Sequence, residues 1–221
     1  MARKELLVER LSGELIPEAA DVLTEAFKTE ETTAYHLDTD RYSVIRGMKA
    51  LDRIFLQMYM EAARPILAAL EEGHVVGVGI LRDPRRRVSK SNALLLFLPE
   101  LHRLGAMYLR HPIRTLRIMA ASRPPRGLRE QFITFEALGV HPAHQGKGVG
   151  KALMMYAQKL AQGDPSVTGI YLNTGSEKNR SFYESLGYET LSVRDLGRVV
   201  VYHMFWSNPL ARQTTSAAMT T

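Results

Sequence analysis

No cysteine occurs anywhere in the 221 residues. Disulfides, thiolate metal centres and cysteine nucleophiles are excluded together. Long apolar runs are missing too. The longest, Ala93 to Pro99 (ALLLFLP), falls far short of the ~20 residues that a membrane-spanning helix needs. The opening MARKELLVERLSG scatters charge along its length and holds no basic-then-apolar signal segment. A soluble, cytoplasmic protein with no membrane partner is therefore expected. What is present is ordinary for a globular chain, 45% apolar and 24% charged. A chain of this length buries roughly 70% of its unfolded surface on folding, so it needs no covalent staple.

Acids are scarce in one stretch. From Arg82 to Glu130 there are 12 lysines and arginines against three acids (Asp83, Glu100, Glu130), a net of +9 in a chain whose total is +6. Such a block suits an anionic ligand, an acidic partner or nucleic acid. Only Phe97 and Tyr108 interleave it with aromatics, so nucleic acid is not the expected partner.

The periodicities predict an order of elements. An edge strand is expected at Glu5–Leu11 and a helix from Pro17 to about Lys28. A second helix carries Val44, Met48, Leu51, Phe55 and Met58 in one stripe, with Asp40 as its N-cap. Ile66–Leu70 and Val75–Leu81 read as a hairpin turned at Glu71-Glu72-Gly73. The basic block then holds helical pieces broken at Pro99 and Pro112, with Arg110, Arg114 and Arg117 expected on one helical face. A strand at Phe132–Val140, a helix at Gly148–Gln162, a strand at Thr168–Asn173, a helix at Glu177–Leu186 and two closing strands follow. The fold expected is α/β (α+β), one domain over 1–206 with a mixed central sheet flanked by helices. A helical insertion at 82–130 precedes the fourth strand, and 207–221 form a disordered tail.

Val140–Lys151 (VHPAHQGKGVGK) carries the chemistry. A strand runs into glycines and the glycines into a helix, so backbone can approach a ligand where a helix offers unpaired N–H groups and positive dipole. Lys147 and Lys151 add full charges. This is a phosphate cradle, but neither of two familiar kinds. A P-loop needs four residues between its first glycine and the Gly-Lys pair, and here there are three, with Ala152 in place of the magnesium-binding hydroxyl. The dinucleotide fingerprint Gly-x-Gly-x-x-Gly fails as well, because Gly146, Gly148 and Gly150 alternate.

Gln145-Gly146-Lys147-Gly148-Val149-Gly150 instead resembles the Gln/Arg-x-x-Gly-x-Gly/Ala signature of the GNAT N-acetyltransferase superfamily. Leu138-Gly139-Val140-His141-Pro142 is similar to the end of that family's fourth strand. The segment from Asn179 through Tyr183 to Gly187-Tyr188 is similar to its Asn…Tyr-x-x-x-Gly-Phe segment, with Tyr188 in place of Phe. The insertion resembles that of the puromycin N-acetyltransferase-like branch.

The resemblance implies acetyl-CoA as co-substrate. Backbone amides of Gln145, Gly146, Gly148, Val149, Gly150 and Lys151 would hold its pyrophosphate, with Lys147 a further cofactor-binding residue beside them. Leu138 and Val140 would pair with the pantetheine arm, and Asn173 and Asn179 would touch the cofactor. It implies acetyl transfer to a primary amine by direct attack, with Tyr183 as the acid that protonates the leaving thiolate. For the base, Glu136 stands in an otherwise apolar strand two residues before Leu138, which predicts one shared face and, where desolvated, a raised pKa. His141 and His144 read as surface residues or phosphate neighbours, and no metal site is expected. The expected acceptor is a small molecule, its pocket formed by the first two helices, the insertion and the last two strands. The alternatives are a protein lysine or N-terminus as acceptor, or a non-catalytic acyl-CoA- or nucleic-acid-binding module. Monomer and homodimer remain open.

Overall fold

Two apolar segments on either side of a tight turn at Glu72-Gly73 form a hairpin in one half of the sheet: β2 (Ile66–Glu71) and β3 (His74–Arg82). Before them come β1 (Leu6–Arg10), α1 (Ile16–Phe27), α2 (Glu31–His36) and α3 (Tyr42–Glu61). After them come α4 (Lys90–Phe97), α5 (Leu101–Tyr108), α6 (Pro112–Ala121), β4 (Phe132–Val140) and α7 (Val149–Gln162). The chain continues through β5 (Gly169–Thr174), α8 (Glu177–Glu184), β6 (Glu189–Asp195) and β7 (Val200–Ser207). The computed structural model describes residues 5–128 and 131–211. The seven strands form one mixed sheet in the order β1-β2-β3-β4-β5-β7-β6. Every neighbouring pair is antiparallel except β4 and β5, which are parallel.

Side chains alternate across the strands and build a core on each face. Ala68, Val78 and Ile80 meet Ala19 and Leu23 of α1 and Ile54 of α3. Leu67, Leu81, Ile133 and Leu172 meet Leu153, Met154 and Ala157 of α7 on the other face. Each buried side chain of Leu153's size stabilises by roughly 2 kcal/mol.

The β4–β5 ladder is short. It pairs Phe132, Ile133 and Thr134 with Gly169, Ile170 and Tyr171. Beyond Thr134 the two strands separate, while β4 keeps its pairing with β3 as far as Val140. The sheet therefore opens as a wedge at the carboxyl ends of β4 and β5.

Several expectations change. The N-cap of α3 is Arg41 rather than Asp40, with no side-chain cap bond. The short helix α2 was not foreseen: six residues are too few to show a period. Arg110 does not share a helix with Arg114 and Arg117. Pro112 lacks the N–H that would continue α5 and instead opens α6, leaving Arg110 in the turn, 2.9 Å from Asp38. The tail expected from Ser207 begins inside the fold: Ser207 ends β7, and buried Asn208 donates to the carbonyls of Ala161 (2.9 Å) and Val167 (2.8 Å). Residues 212–221 lie outside the described residues.

The insertion packs as three helices. Leu104 and Met107 of α5 join Val44 and Met48 of α3, and Ile118 of α6 joins Tyr35 and Val201. Much of its charge is engaged internally. Arg85 meets Asp83 and Asp164, Arg103 meets Glu100, Arg114 lies over the Tyr35 ring, and Arg117 donates to the Leu196 carbonyl.

Candidate active site

The glycine loop follows β4 directly. Gln145 Nε2 donates back to the Val140 carbonyl at 3.1 Å, and Gly146 and Gly148 take left-handed φ values of +74° and +87°. Only glycine enters that region without strain. A Cβ at either would meet nothing within 4 Å, so the loop's outer side is open space. Gly148 is the N-cap of α7 and has no side chain to cap with, so the first N–H groups of Val149, Gly150 and Lys151 have no side-chain acceptor at the cap. Lys147 and Lys151 are exposed beside them. The loop is held in place by close packing beneath: a Cβ at Gly77 of β3 would lie 2.6 Å from Val149 Cγ1 and 3.0 Å from Leu153 Cδ1. Gly77 lets the start of α7 rest on the sheet.

Gly150 brings the elements of the site together. A Cβ there would contact Phe182, Val140 and Leu138 at 3.7–3.8 Å. The loop thus meets β4 and α8, and the Tyr183 ring is 5.2 Å from that of Phe182. Of the two histidines beside the loop, His141 accepts from the Ala143 N–H, and His144 pairs with Glu71 at 2.9 Å.

A cavity of about 150 Å³ occupies the wedge between β4 and β5. Five of the residues expected at the site line it: Glu136, Leu138, Asn173, Asn179 and Tyr183. The amide of Asn173 also donates to the Ser122 carbonyl (3.3 Å), and the Asn179 N–H donates to Ser176 Oγ, the N-cap of α8. Tyr183 is buried, and burial, with the Glu30 charge nearby, pushes its phenol well above the ordinary tyrosine value. It keeps its proton at neutral pH. Of the elements expected around an acceptor pocket, only the first helix reaches this cavity among the described residues, through Phe27; the α2 segment adds Glu30, Thr32 and Thr33.

Glu136 and Leu138 do not share a face. The register of β4 against β3 shifts between Ile80 and Leu81, which face Ala137 and Phe135, so Glu136 is the extra residue of a β-bulge. The bulge reverses the alternation. Leu138 packs with the α7 core, while Glu136 turns towards α3, where its Oε2 accepts from the Tyr59 hydroxyl and its Oε1 from Arg82 Nε. Both residues still line the cavity because it opens along the free edge of β4. Arg82 also donates to Thr134 Oγ1 at 3.1 Å, fixing the guanidinium across the strand. Tyr59, Arg82 and Glu30 carry no motif, so nothing in the sequence marked them for this site.

Residues 113–190 match the family model described as an acetyltransferase (GNAT) domain. Solved structures share the fold over nearly the whole chain. A protein from Corynebacterium glutamicum described as histone acetyltransferase HPA2 and related acetyltransferase is 18% identical with a TM-score of 0.64, over 92% of this chain and 96% of that one. A mosquito arylalkylamine N-acetyltransferase like 5b is 16% identical with a TM-score of 0.60, over 92% and 100%. The PaiA N-acetyltransferase from Thermoplasma acidophilum, in complex with coenzyme A, is 14% identical with a TM-score of 0.58, over 92% and 99%. Residues 113–190 thus match a GNAT acetyltransferase domain model, within a fold that the chain shares with these solved acetyltransferases over about nine-tenths of its length.

Proposed function

We propose that this protein transfers the acetyl group of acetyl-CoA to a primary amine of a small molecule, by direct attack, in a single domain with residues 82–130 as an insertion. The observation that carries this reading is the glycine loop opening α7 at the mouth of the β4–β5 wedge. The loop fits a pyrophosphate: its outer side is open, its amides start a 14-residue helix, and Lys147 and Lys151 supply charge. Leu138 and Val140 offer the strand edge that β5 leaves unpaired, a match for the amides of a pantetheine arm. Asn173 and Asn179 contribute from the opposite wall of the wedge. Acetyl-CoA supplies the activated thioester.

Tyr183 is the proposed acid. It is buried, lines the cavity and keeps its phenol proton at neutral pH. The proton acceptor is one of the two carboxylates in the same cavity, Glu136 or Glu30. Tyr183→Phe tests the acid. The ring stays packed against Phe182 and Tyr188, so acetyl-CoA should bind as before while amine-dependent thiol release falls ~100-fold or more. An unchanged rate would remove Tyr183 from the mechanism.

A further inference from the structure

We propose that Glu30 is the carboxylate that binds the acceptor's ammonium group and takes its proton. The proposal rests on the acetyl-transfer reading above and names the acceptor chemistry at that same cavity.

Glu30 stands in the bend between α1 and α2. Its N–H donates to the Phe27 carbonyl at 3.1 Å, and its backbone is extended (φ −74°, ψ 138°). All the donors it meets fall on one oxygen. Oε2 accepts from the Thr33 N–H (2.9 Å), the Thr33 hydroxyl (3.2 Å) and the Thr32 hydroxyl. No described residue donates to Oε1. Gly175 leaves room on that side, since a Cβ there would lie 3.4 Å from Oε1. The carboxylate is therefore fixed by one oxygen and open at the other, a good arrangement for receiving a donor.

Glu136 is arranged differently, because Tyr59 holds one of its oxygens and Arg82 the other. An incoming ammonium would have to displace one of them. The cavity's charge agrees with a cationic ligand: its described lining contains Glu30 and Glu136 and no lysine or arginine. Phe27, Phe135 and Leu172 form apolar wall beside them, which suits an ammonium on an apolar stem. The charge of Glu30 also reaches the Tyr183 phenol, so the proposed acid and base belong to one cavity.

The proton count closes. The acceptor R–NH₃⁺ gives one proton to Glu30 Oε1, and the freed lone pair attacks the thioester carbonyl carbon. The C–S bond breaks with its electron pair leaving on sulfur. Tyr183 gives the sulfur its proton and recovers one from the acylated nitrogen. Amide, thiol and one proton lost from Glu30 to solvent balance the reactants.

The test compares wild type, E30Q, E30D and E136Q. Acetyl-CoA affinity is measured by calorimetry, and thiol release is followed with butylamine, benzylamine and phenethylamine. E30Q keeps an oxygen for the Thr33 N–H. It is expected to lose ~100-fold or more in kcat/KM for the amine while its acetyl-CoA Kd stays within about twofold. E30D keeps the charge and shortens the reach, and should hold within about tenfold of wild type; it decides the matter if E30Q fails to fold. E136Q should remain more active than E30Q. Loss in E136Q with E30Q unimpaired would overturn the proposal, as would a wild type that binds acetyl-CoA but acetylates none of the three amines. Failure of wild type to bind acetyl-CoA is a different result, and would overturn the reading beneath it.

Discussion

Asp52 of α3 accepts a hydrogen bond from Thr24 Oγ1 of α1 at 2.9 Å, and burial pushes its carboxyl up to about 7. Its unfolded value is near 3.8, so the native state holds a proton that the unfolded chain releases between about pH 4 and 7. Asp52 thus lowers stability as pH rises through that window, by on the order of a few kcal/mol. His203 acts in the opposite sense. Fully buried, with Nδ1 2.6 Å from the Tyr171 hydroxyl, it is lowered from 6.5 to about 4 by burial and by Arg194. It lowers stability as pH falls from about 6.5 to 4. The two slopes oppose one another below about pH 6.5. Asp52→Asn removes one of them: thermal unfolding should show a higher Tm at about pH 8 than wild type, and a Tm that climbs steeply with pH between about 4 and 6.5. Equal pH dependence in variant and wild type would contradict the burial of this carboxyl. Single residues also show how far the sequence could be read. Tyr183 was legible because a motif on its own helix names it. Glu30 was not, because a glutamate between two helices follows no pattern, and its place in the cavity depends on strands more than 100 residues later in the chain.

At the scale of elements, α7 owes its position to the missing side chain of Gly77. An alanine there would press into Val149 and Leu153, whose atoms lie 2.6 and 3.0 Å from the new Cβ, so the start of α7 must lift off β3. Gly77→Ala is expected to cost about 1–3 kcal/mol of stability and to weaken acetyl-CoA binding as well, since the glycine loop moves with the helix. Chemical denaturation and calorimetry on one preparation would check both effects; a stability loss with full affinity would uncouple the loop from this contact. The strands and long helices were readable from their periods, and β4 matches its expected limits, Phe132–Val140. The bulge within β4 was not, because nothing in FITFEALGV, apolar or small but for Thr134 and Glu136, marks an extra residue, which appears only when β3 is laid beside it. That single shift turned Glu136 away from the face of Leu138. The three-residue β4–β5 ladder was equally invisible, although it opens the wedge.

For the whole molecule, the basic insertion changes meaning once folded. Its net +9 suggested an external anion or partner, yet several of its arginines meet acids or carbonyls of the fold itself. Asp38 shows the effect: His111, Arg110 and Arg41 hold its carboxyl below the usual carboxylate range and tie the α2–α3 link to the insertion. The charge balance was legible in the sequence, and so were near neighbours such as Asp83 and Glu100; Asp38, Asp164 and the Leu196 carbonyl were not, since they come from segments far away in the chain.

If the Gln145–Lys151 loop holds the pyrophosphate of acetyl-CoA, as proposed, calorimetric titration of wild type and Gly148→Glu with acetyl-CoA should separate the two proteins. A Cβ at Gly148 meets no atom within 4 Å, so the variant should fold, with only about 1–2 kcal/mol of strain from the left-handed φ. Its carboxylate would stand where the phosphates are to lie. Micromolar binding by wild type, weaker binding of ATP and no measurable binding by the folded variant are the predicted results. Equal affinity in both proteins would contradict the account.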